Sequence, residues 1–285
     1  MVIDKPAGLT SHDVVQQVRR LSQTRRVGHA GTLDPLATGV LWLCLGRATR
    51  LIEYLMGQPK TYAGTVRLGQ STNTYDAEGE VTHTRDVIVN EPDIAAALDA
   101  FRGQIWQVPP MYSAIKRGGQ PLYKLARQGH VVELEPRPVT IYQLELLAWH
   151  EPDLTLRLVC SAGTYVRSLA HDLGERLGCG GHLVALRRTA VGGFTVDAAA
   201  NLAHLTADNW RTYLLAPDQA VMHLPRLDLT DFQVDALQKG QLPLREPGQL
   251  AAAMLRGYDE HGRFWGIFSP WRDSWKVEKL LPPVE

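Results

Sequence analysis

Between Leu154 and Leu177 the spacing of apolar residues changes period, and that change restricts the folds open to this chain more than any other feature. Leu154, Leu156, Leu158 and Cys160 alternate with polar neighbours, as in a strand with one buried face. Val166, Leu169, Ala170, Leu173 and Leu177 then recur at helical intervals, which predicts a helix from about Thr164 to Leu177. Strand therefore passes directly into helix. The same reading along the rest of the chain gives further strands at Tyr62 to Leu68, Pro138 to Trp149 and His182 to Ala190. Helices are expected at Ser11 to Leu21, opened by a Thr10/Asp13 capping box, at Pro92 to Phe101, and at Pro121 to Gln128 before Gly129. Val40 to Leu45 is short, apolar and bounded by Gly39 and Gly46, which favours a strand buried on both faces. No repeating strand–helix–strand rhythm links these pieces, so an α+β class with a mixed, largely antiparallel sheet is expected. Pro217 and Pro225 bracket a linker, and beyond it Phe232 to Gln238 reads as a short helix and Arg263 to Phe268 as a strand. Residues 1–225 thus form a main domain and 226–285 a small β-rich companion.

Several classes are excluded early. No apolar run approaches the roughly 18 residues that a membrane span needs. A basic segment followed by an apolar one is missing at the N-terminus, so no secretory signal is expected. The three cysteines, Cys44, Cys160 and Cys179, are far apart and odd in number, which suits a reducing cytoplasm and suggests neither a disulfide framework nor a zinc site. Formal net charge is zero, yet the charge is segregated. Residues 1–75 carry nine basic against four acidic side chains and residues 102–137 six against two, whereas residues 76–101 carry one against seven. A neutral protein built from such blocks can present a basic face to phosphate, because fields between exposed charges fade over a Debye length of about 8 Å.

The densest chemistry lies in Arg25-Arg26-Val27-Gly28-His29-Ala30-Gly31-Thr32-Leu33-Asp34-Pro35-Leu36-Ala37-Thr38-Gly39, immediately before the apolar strand. Its glycines permit tight turns while polar side chains gather at a strand end. It is neither a phosphate-binding Walker loop nor a dinucleotide fingerprint. An aspartate in such a loop is commonly only a turn former, so the residues by themselves leave its role open.

The string Gly28 to Gly39 resembles the catalytic motif of the TruB family, bacterial synthases that make pseudouridine at position 55 in the T loop of tRNA. Further matches follow in order: Asp4-Lys5-Pro6-Ala7-Gly8, Lys60-Thr61-Tyr62, Thr74-Tyr75-Asp76-Ala77-Glu78-Gly79, Pro110 to Lys116, Cys160 to Arg167, and Leu186-Arg187-Arg188. Only Met1, Val2 and Ile3 precede Asp4, which is shorter than the family's first strand, so either the start is placed late or a sheet edge is shortened. The resemblance implies a pseudouridine-synthase fold with a PUA-like C-terminal β-barrel, and a mobile insertion at about 111–136 that closes over the T arm. It implies Asp34 as the reacting carboxylate, Arg167 as the cation that opposes its desolvation, and Tyr62 against the base as candidate acceptor of a proton. Tyr165 and Leu186 would shape the pocket, and His29 would support the extruded nucleotide. Lys5, Arg25, Arg26 and Lys60 would meet phosphates, with Lys116, Arg117, Arg187 and Arg188 as further candidates. No cofactor or metal, no membrane and no obligatory protein partner are implied, and a cytoplasmic monomer acting on tRNA is expected. Competing readings are a relative working in a guide-RNA complex, a non-catalytic RNA-binding module or RNA chaperone, and an aspartate-dependent hydrolase of small molecules.

Overall fold

The structure, a computed structural model, describes residues 1–113, 115–122, 126, 128, 132–249 and 252–283. In chain order the first half holds β1 (Val2–Lys5), α1 (Ser11–Ser22), β2 (Val27–Ala30), β3 (Thr38–Leu45), α2 (Ile52–Met56), β4 (Lys60–Leu68), β5 (Gln70–Thr72), β6 (Val81–Thr84), α3 (Glu91–Asp99), β7 (Gly103–Gln107), β8 (Lys116–Arg117) and β9 (Gln120–Pro121). The second half holds β10 (Arg137–His150), β11 (Asp153–Cys160), α4 (Val166–Arg176), β12 (Gly181–Val191), β13 (Phe194–Thr195), β14 (Ala200–Asn201), β15 (Arg226–Asp228), α5 (Asp231–Gln238), β16 (Leu255–Tyr258), β17 (Phe264–Trp271) and β18 (Ser274–Leu280).

One ten-stranded sheet forms the body, in the order β14-β1-β3-β12-β4-β11-β10-β7, with β2 on β3 and β13 on β12. Pairing is antiparallel except β1 with β14 and β3 with β12. The strand patterns report which faces are covered. Along β4 and β11 buried and half-buried residues alternate strictly, so one face of this half packs inward and the other is partly open. In β3, by contrast, Gly39 to Cys44 are all buried. Leu41 and Leu43 enter a core with Val14, Val15 and Val18 of α1 and Leu169 and Leu173 of α4, while Val40, Trp42 and Cys44 face Leu51 and Leu55 around α2 and Ile267 of β17. An apolar strand without alternation is what burial on two faces requires.

The Thr10 capping box is present: Thr10 Oγ1 accepts from the Asp13 amide at 3.1 Å and Asp13 Oδ2 accepts from the Thr10 amide at 2.8 Å. The shortened first strand is not an edge. β1 has four residues and lies between β3 and β14, its short length matched by a two-residue partner. From Arg226 a second sheet, β15-β16-β17-β18, packs around Leu255, Phe268 and Trp275. It is a sheet with two ends among the described residues, extended by one bridge from Leu244 to Ser274, so the closed barrel expected from the resemblance is corrected to an open sheet. The helix expected at Pro121 to Gln128 and much of the insertion at 111–136 lie outside the described residues.

Candidate active site

The loop carrying Asp34 is shaped by buried hydrogen bonds before any ligand is considered. Ser11, at the start of α1, uses its hydroxyl both ways: Oγ accepts from the Leu33 amide at 2.8 Å and donates to the Leu33 carbonyl at 3.1 Å. Lys5 Nζ donates to the carbonyls of Pro6, Leu9 and Pro35 at 2.8, 2.6 and 3.3 Å. From β12, Arg188 donates to the carbonyls of Val40, Thr32 and Gly31 at 2.7, 3.3 and 3.0 Å. Gly39, with φ of +102°, completes the arrangement, because a Cβ there would collide with the Arg188 backbone where β3 meets β12. Asp34 is therefore held at the end of a loop fixed on both sides.

Opposite it stands Arg167, in the first turn of α4 and 5% exposed at its side chain. Its Nε lies 2.9 Å from Asp34 Oδ2, an ion pair whose N–H is not aligned well enough for a linear hydrogen bond. Nη1 pairs with Asp76 Oδ2 at 3.1 Å and donates to the Thr74 carbonyl at 3.1 Å, and Nη2 donates to the Tyr112 carbonyl at 2.8 Å. Asp34 is enclosed by protein on most sides, yet 36% of its side chain reaches solvent, so it faces an opening and not a dry interior. Burial raises its pKa, the Arg167 guanidinium opposes that rise, Asp76 adds to it and Lys5 opposes it. One cation thus serves two carboxylates. The resemblance pointed to Arg167 as Asp34's counterion; Asp76, taken only as part of a motif in an acidic block, is the second partner that sequence reasoning missed.

These groups border a cavity of about 260 Å³, near the lower end of the range for small-molecule clefts, roughly 300 Å³. Asp34, Tyr62, Tyr165, Arg167 and Leu186 all line it, together with Lys60 and Arg188. Tyr62, on the inward face of β4, is 6% exposed; burial pushes its phenol up while the Arg188 guanidinium opposes that. Burial likewise pushes the Tyr165 phenol up. Met56, which the sequence did not single out, and Ser113 of the Pro110 to Lys116 match also line it.

The remaining expected residues part company. His29 lies half-buried in β2, outside the cavity lining, with its Nδ1 buried and unbonded among the described residues; burial and the Arg188 and His12 charges lower its pKa. Arg25 and Arg26 are exposed in the turn before β2, as phosphate contacts require. Lys5 is fully buried and Lys60 7% exposed, with Lys60 Nζ donating to the carbonyls of Met56 and Gln58 at 2.9 and 2.8 Å. Burial brings both ammonium groups down to about 8. Both point inward and satisfy backbone carbonyls, as does Arg188, and Lys60 and Arg188 do so at the cavity wall. Arg187 pairs with Asp4 at 2.8 Å, and the side chains of Lys116 and Arg117 lie outside the described ones.

Among the described residues no helix is long and apolar enough to cross a membrane, and no group of His, Cys, Asp and Glu could hold a metal ion. The profile of the TruB family pseudouridylate synthase N-terminal domain matches residues 19–166, and that of the tRNA pseudouridylate synthase B C-terminal domain matches residues 167–228. The tRNA pseudouridine synthase B of Aromatoleum aromaticum is 50% identical over 270 residues, covering 94% of this chain and 87% of the relative. That of Pseudomonas aeruginosa (strain UCBPP-PA14) is 47% identical over 274 residues, covering 94% and 90%. Among solved structures, a chain of a Cbf5-Nop10-Gar1 complex superposes with a TM-score of 0.77 at 28% identity, covering 99% of this chain and 85% of that one. A chain of an H/ACA RNP bound to a substrate RNA containing 2'-deoxyuridine gives 0.76 at 26% identity, with the same coverage. With half of its length matched by the N-terminal profile and curated relatives aligned across nearly all of it, this chain belongs to the TruB family of pseudouridylate synthases.

Proposed function

We propose that this enzyme isomerises uridine to pseudouridine at position 55 in the T loop of tRNA, acting as a monomer, in the cytoplasm and without guide RNA. The observation that carries the reading is the Asp34–Arg167 ion pair at 2.9 Å, set in a cavity whose other walls include Tyr62, Tyr165 and Leu186. The reaction breaks the N1–C1′ bond, turns the uracil and joins C5 to C1′; the hydrogen that C5 loses is balanced by the one N1 gains, so no external reagent is consumed. Asp34 begins it as the carboxylate that attacks the sugar or ring, or removes a ribose proton. Burial works against its ionised form, and Arg167 with Lys5 works for it.

A cavity of this size suits one nucleoside and not a helix, so the target base leaves its stack at a cost of a few kcal/mol. Tyr62 and Leu186 then pack on the uracil. Tyr62 takes the C5 proton only once its own hydroxyl proton has moved, a step that burial hinders and the neighbouring Arg188 guanidinium helps. Arg25 and Arg26 meet the phosphates, His29 supports the loop beside the vacated stack, and the sheet from Arg226 adds RNA contact. The test is incubation of the purified chain alone with unmodified tRNA, followed by mapping of modified positions. Pseudouridine confined to the T loop supports the reading. Activity only on addition of guide RNA and partner proteins would favour the working mode that the names of the superposed complexes describe.

A further inference from the structure

Helix α4 starts without a cap of its own: Tyr165, at its N-cap, makes no side-chain hydrogen bond to the amides that follow. The residue that holds this start is remote in sequence. Gln107 ends β7, the outer strand of the large sheet, and is 2% exposed. Its Oε1 accepts from the Tyr165 amide at 2.8 Å, and its Nε2 donates to the Tyr165 carbonyl at 3.0 Å. One side-chain amide thus engages both polar groups of one residue's backbone, as a paired strand would. A third bond runs parallel to these, from Ser168 Oγ to the Val108 carbonyl at 2.8 Å. β7 is in turn fixed in register by β10, with Gln107 opposite Arg137.

The consequence reaches the cavity. Tyr165 lines it, and Arg167 stands two residues further on, with a rigid planar guanidinium that meets Asp34, Asp76, the Thr74 carbonyl and the Tyr112 carbonyl at once. Four contacts from one plane leave little freedom for the backbone that carries it. If the first turn of α4 shifts, some are lost. The chain leaving Gln107 also supplies Tyr112, so one strand end fixes α4 and delivers one of the carbonyls that orient its arginine.

We propose that Gln107 is a positioning residue for the isomerisation, its side-chain amide fixing the first turn of α4 and thereby the place at which Arg167 holds the Asp34 carboxylate. The inference rests on the reading of Asp34 as the reacting group. Glutamine suits the task because one end of it carries a donor and an acceptor; leucine of similar size carries neither, and glutamate keeps the acceptor alone at neutral pH. Without the amide, the partly buried N–H of Tyr165 loses its partner.

The test uses the full chain with Gln107→Leu, the isosteric Gln107→Glu, and Val18→Ala, a core truncation on α1 at a residue that does not itself line the cavity. Single-turnover pseudouridine formation on a T-arm RNA is measured against pH, together with RNA affinity and thermal midpoint. For Gln107→Leu the rate falls on the order of tenfold to a hundredfold, the scale for displacement of a reacting group by about 1 Å. RNA affinity stays within about threefold, since no phosphate contact changes. The acidic limb moves to higher pH, because Arg167 then opposes the burial of Asp34 less. The charged and titratable groups facing Asp34, namely Arg167, Asp76, Glu78, Lys5, Tyr62 and Tyr165, are the same in wild type, Gln107→Leu and Val18→Ala, so the pH comparison is read from these three, while Gln107→Glu adds one carboxylate beside Tyr165. Gln107→Glu falls between wild type and Gln107→Leu, and Val18→Ala lowers the midpoint while its acidic limb coincides with that of wild type. An acidic limb unmoved in Gln107→Leu, with a rate loss matching Val18→Ala at equal folded fraction, overturns the proposal. An inactive wild-type chain on this RNA would instead overturn the reading beneath it.

Discussion

Asp34 and Asp76 hold the same guanidinium from two sides, at 2.9 and 3.1 Å, one carboxylate partly open to solvent and the other almost wholly buried. Asp76 also accepts from Thr74 Oγ1 at 2.6 Å and the Glu78 amide at 3.1 Å, so it is itself immobile. Arg167 is therefore fixed by Asp76 and the two carbonyls, and Asp34 meets a cation that does not have to be organised when substrate arrives. A lysine at this position keeps the charge but cannot span the four contacts. Arg167→Lys is expected to lower the single-turnover rate by about a hundredfold or more, the scale of losing a preorganised electrostatic partner. A rate within a few-fold of wild type would mean that charge alone suffices.

Asp34→Asn keeps the size and polarity of the side chain and removes its capacity to react. Pseudouridine formation in a T-arm RNA is expected to vanish, while RNA affinity stays within about tenfold, because phosphates supply most of the binding free energy. Parallel turnover and binding measurements decide it, and retained turnover removes Asp34 from the chemistry.

What the sequence made legible follows from how directly a pattern reports its surroundings. β4 and β11 alternate because one face is open, and β3 is continuously apolar because α1 lies on one side of it and α2 with β17 on the other; both patterns were readable without knowing the partners. Asp34, Tyr62, Tyr165, Arg167 and Leu186, drawn from separate stretches of the sequence, line one cavity. Direction of charge was not readable. Lys5, Lys60 and Arg188 counted toward a basic surface, yet each is turned inward and donates to backbone carbonyls of the folded loops. Asp76 was one acid among seven in its block, and only tertiary packing sets it apart. The C-terminal barrel failed for a related reason, since closure depends on pairing between distant short strands that local alternation does not encode.

With the inward lysines set aside, Arg25 and Arg26 are an exposed basic pair in the stretch that leads through β2 into the Asp34 loop. Each arginine that neutralises a phosphate steepens the fall of affinity with salt. Replacing both with alanine is expected to weaken RNA binding at low salt and to flatten the log–log salt slope by nearly two, with a smaller effect on the rate at saturating RNA. An unchanged slope would place the RNA on another face.

On α4, half-buried Asp172 has its pKa raised from 3.8 to about 6 by burial, with Glu175 adding to the shift. The folded protein therefore binds this proton more tightly than the unfolded chain, and stability falls as pH rises from about 4 to about 6. Asp172→Asn removes the penalty, so at pH 7 it is expected to be more stable than wild type by about 1 kcal/mol, since solvent around this half-buried carboxyl screens much of the shift. The gain shrinks through the same window and disappears below about pH 4, where both forms are neutral. Denaturant unfolding at pH 7 and pH 4 tests the sign; a variant less stable than wild type at pH 7 contradicts it.

Lys5 offers the clearest separation between a residue that binds RNA and one that builds the site. Its side chain is fully buried, and Nζ joins three carbonyls, one of them belonging to Pro35 beside the reacting carboxylate. Because burial brings the ammonium down to about 8, the folded state binds this proton less tightly than the unfolded chain, so its contribution to stability increases as pH rises from about 8 toward 10.5. Lys5→Met preserves the aliphatic stem and removes the donor to the Pro6 and Leu9 carbonyls, while the Pro35 carbonyl keeps the Gly8 amide; each unsatisfied group costs about 1–3 kcal/mol. The variant is expected to melt well below wild type at pH 7 and to lose turnover in its folded fraction through a loosened Asp34 loop. Its salt slope for RNA binding should match that of wild type, since no exposed charge has been removed. A slope lower by about one with an unchanged melting temperature would return Lys5 to the phosphate-binding surface.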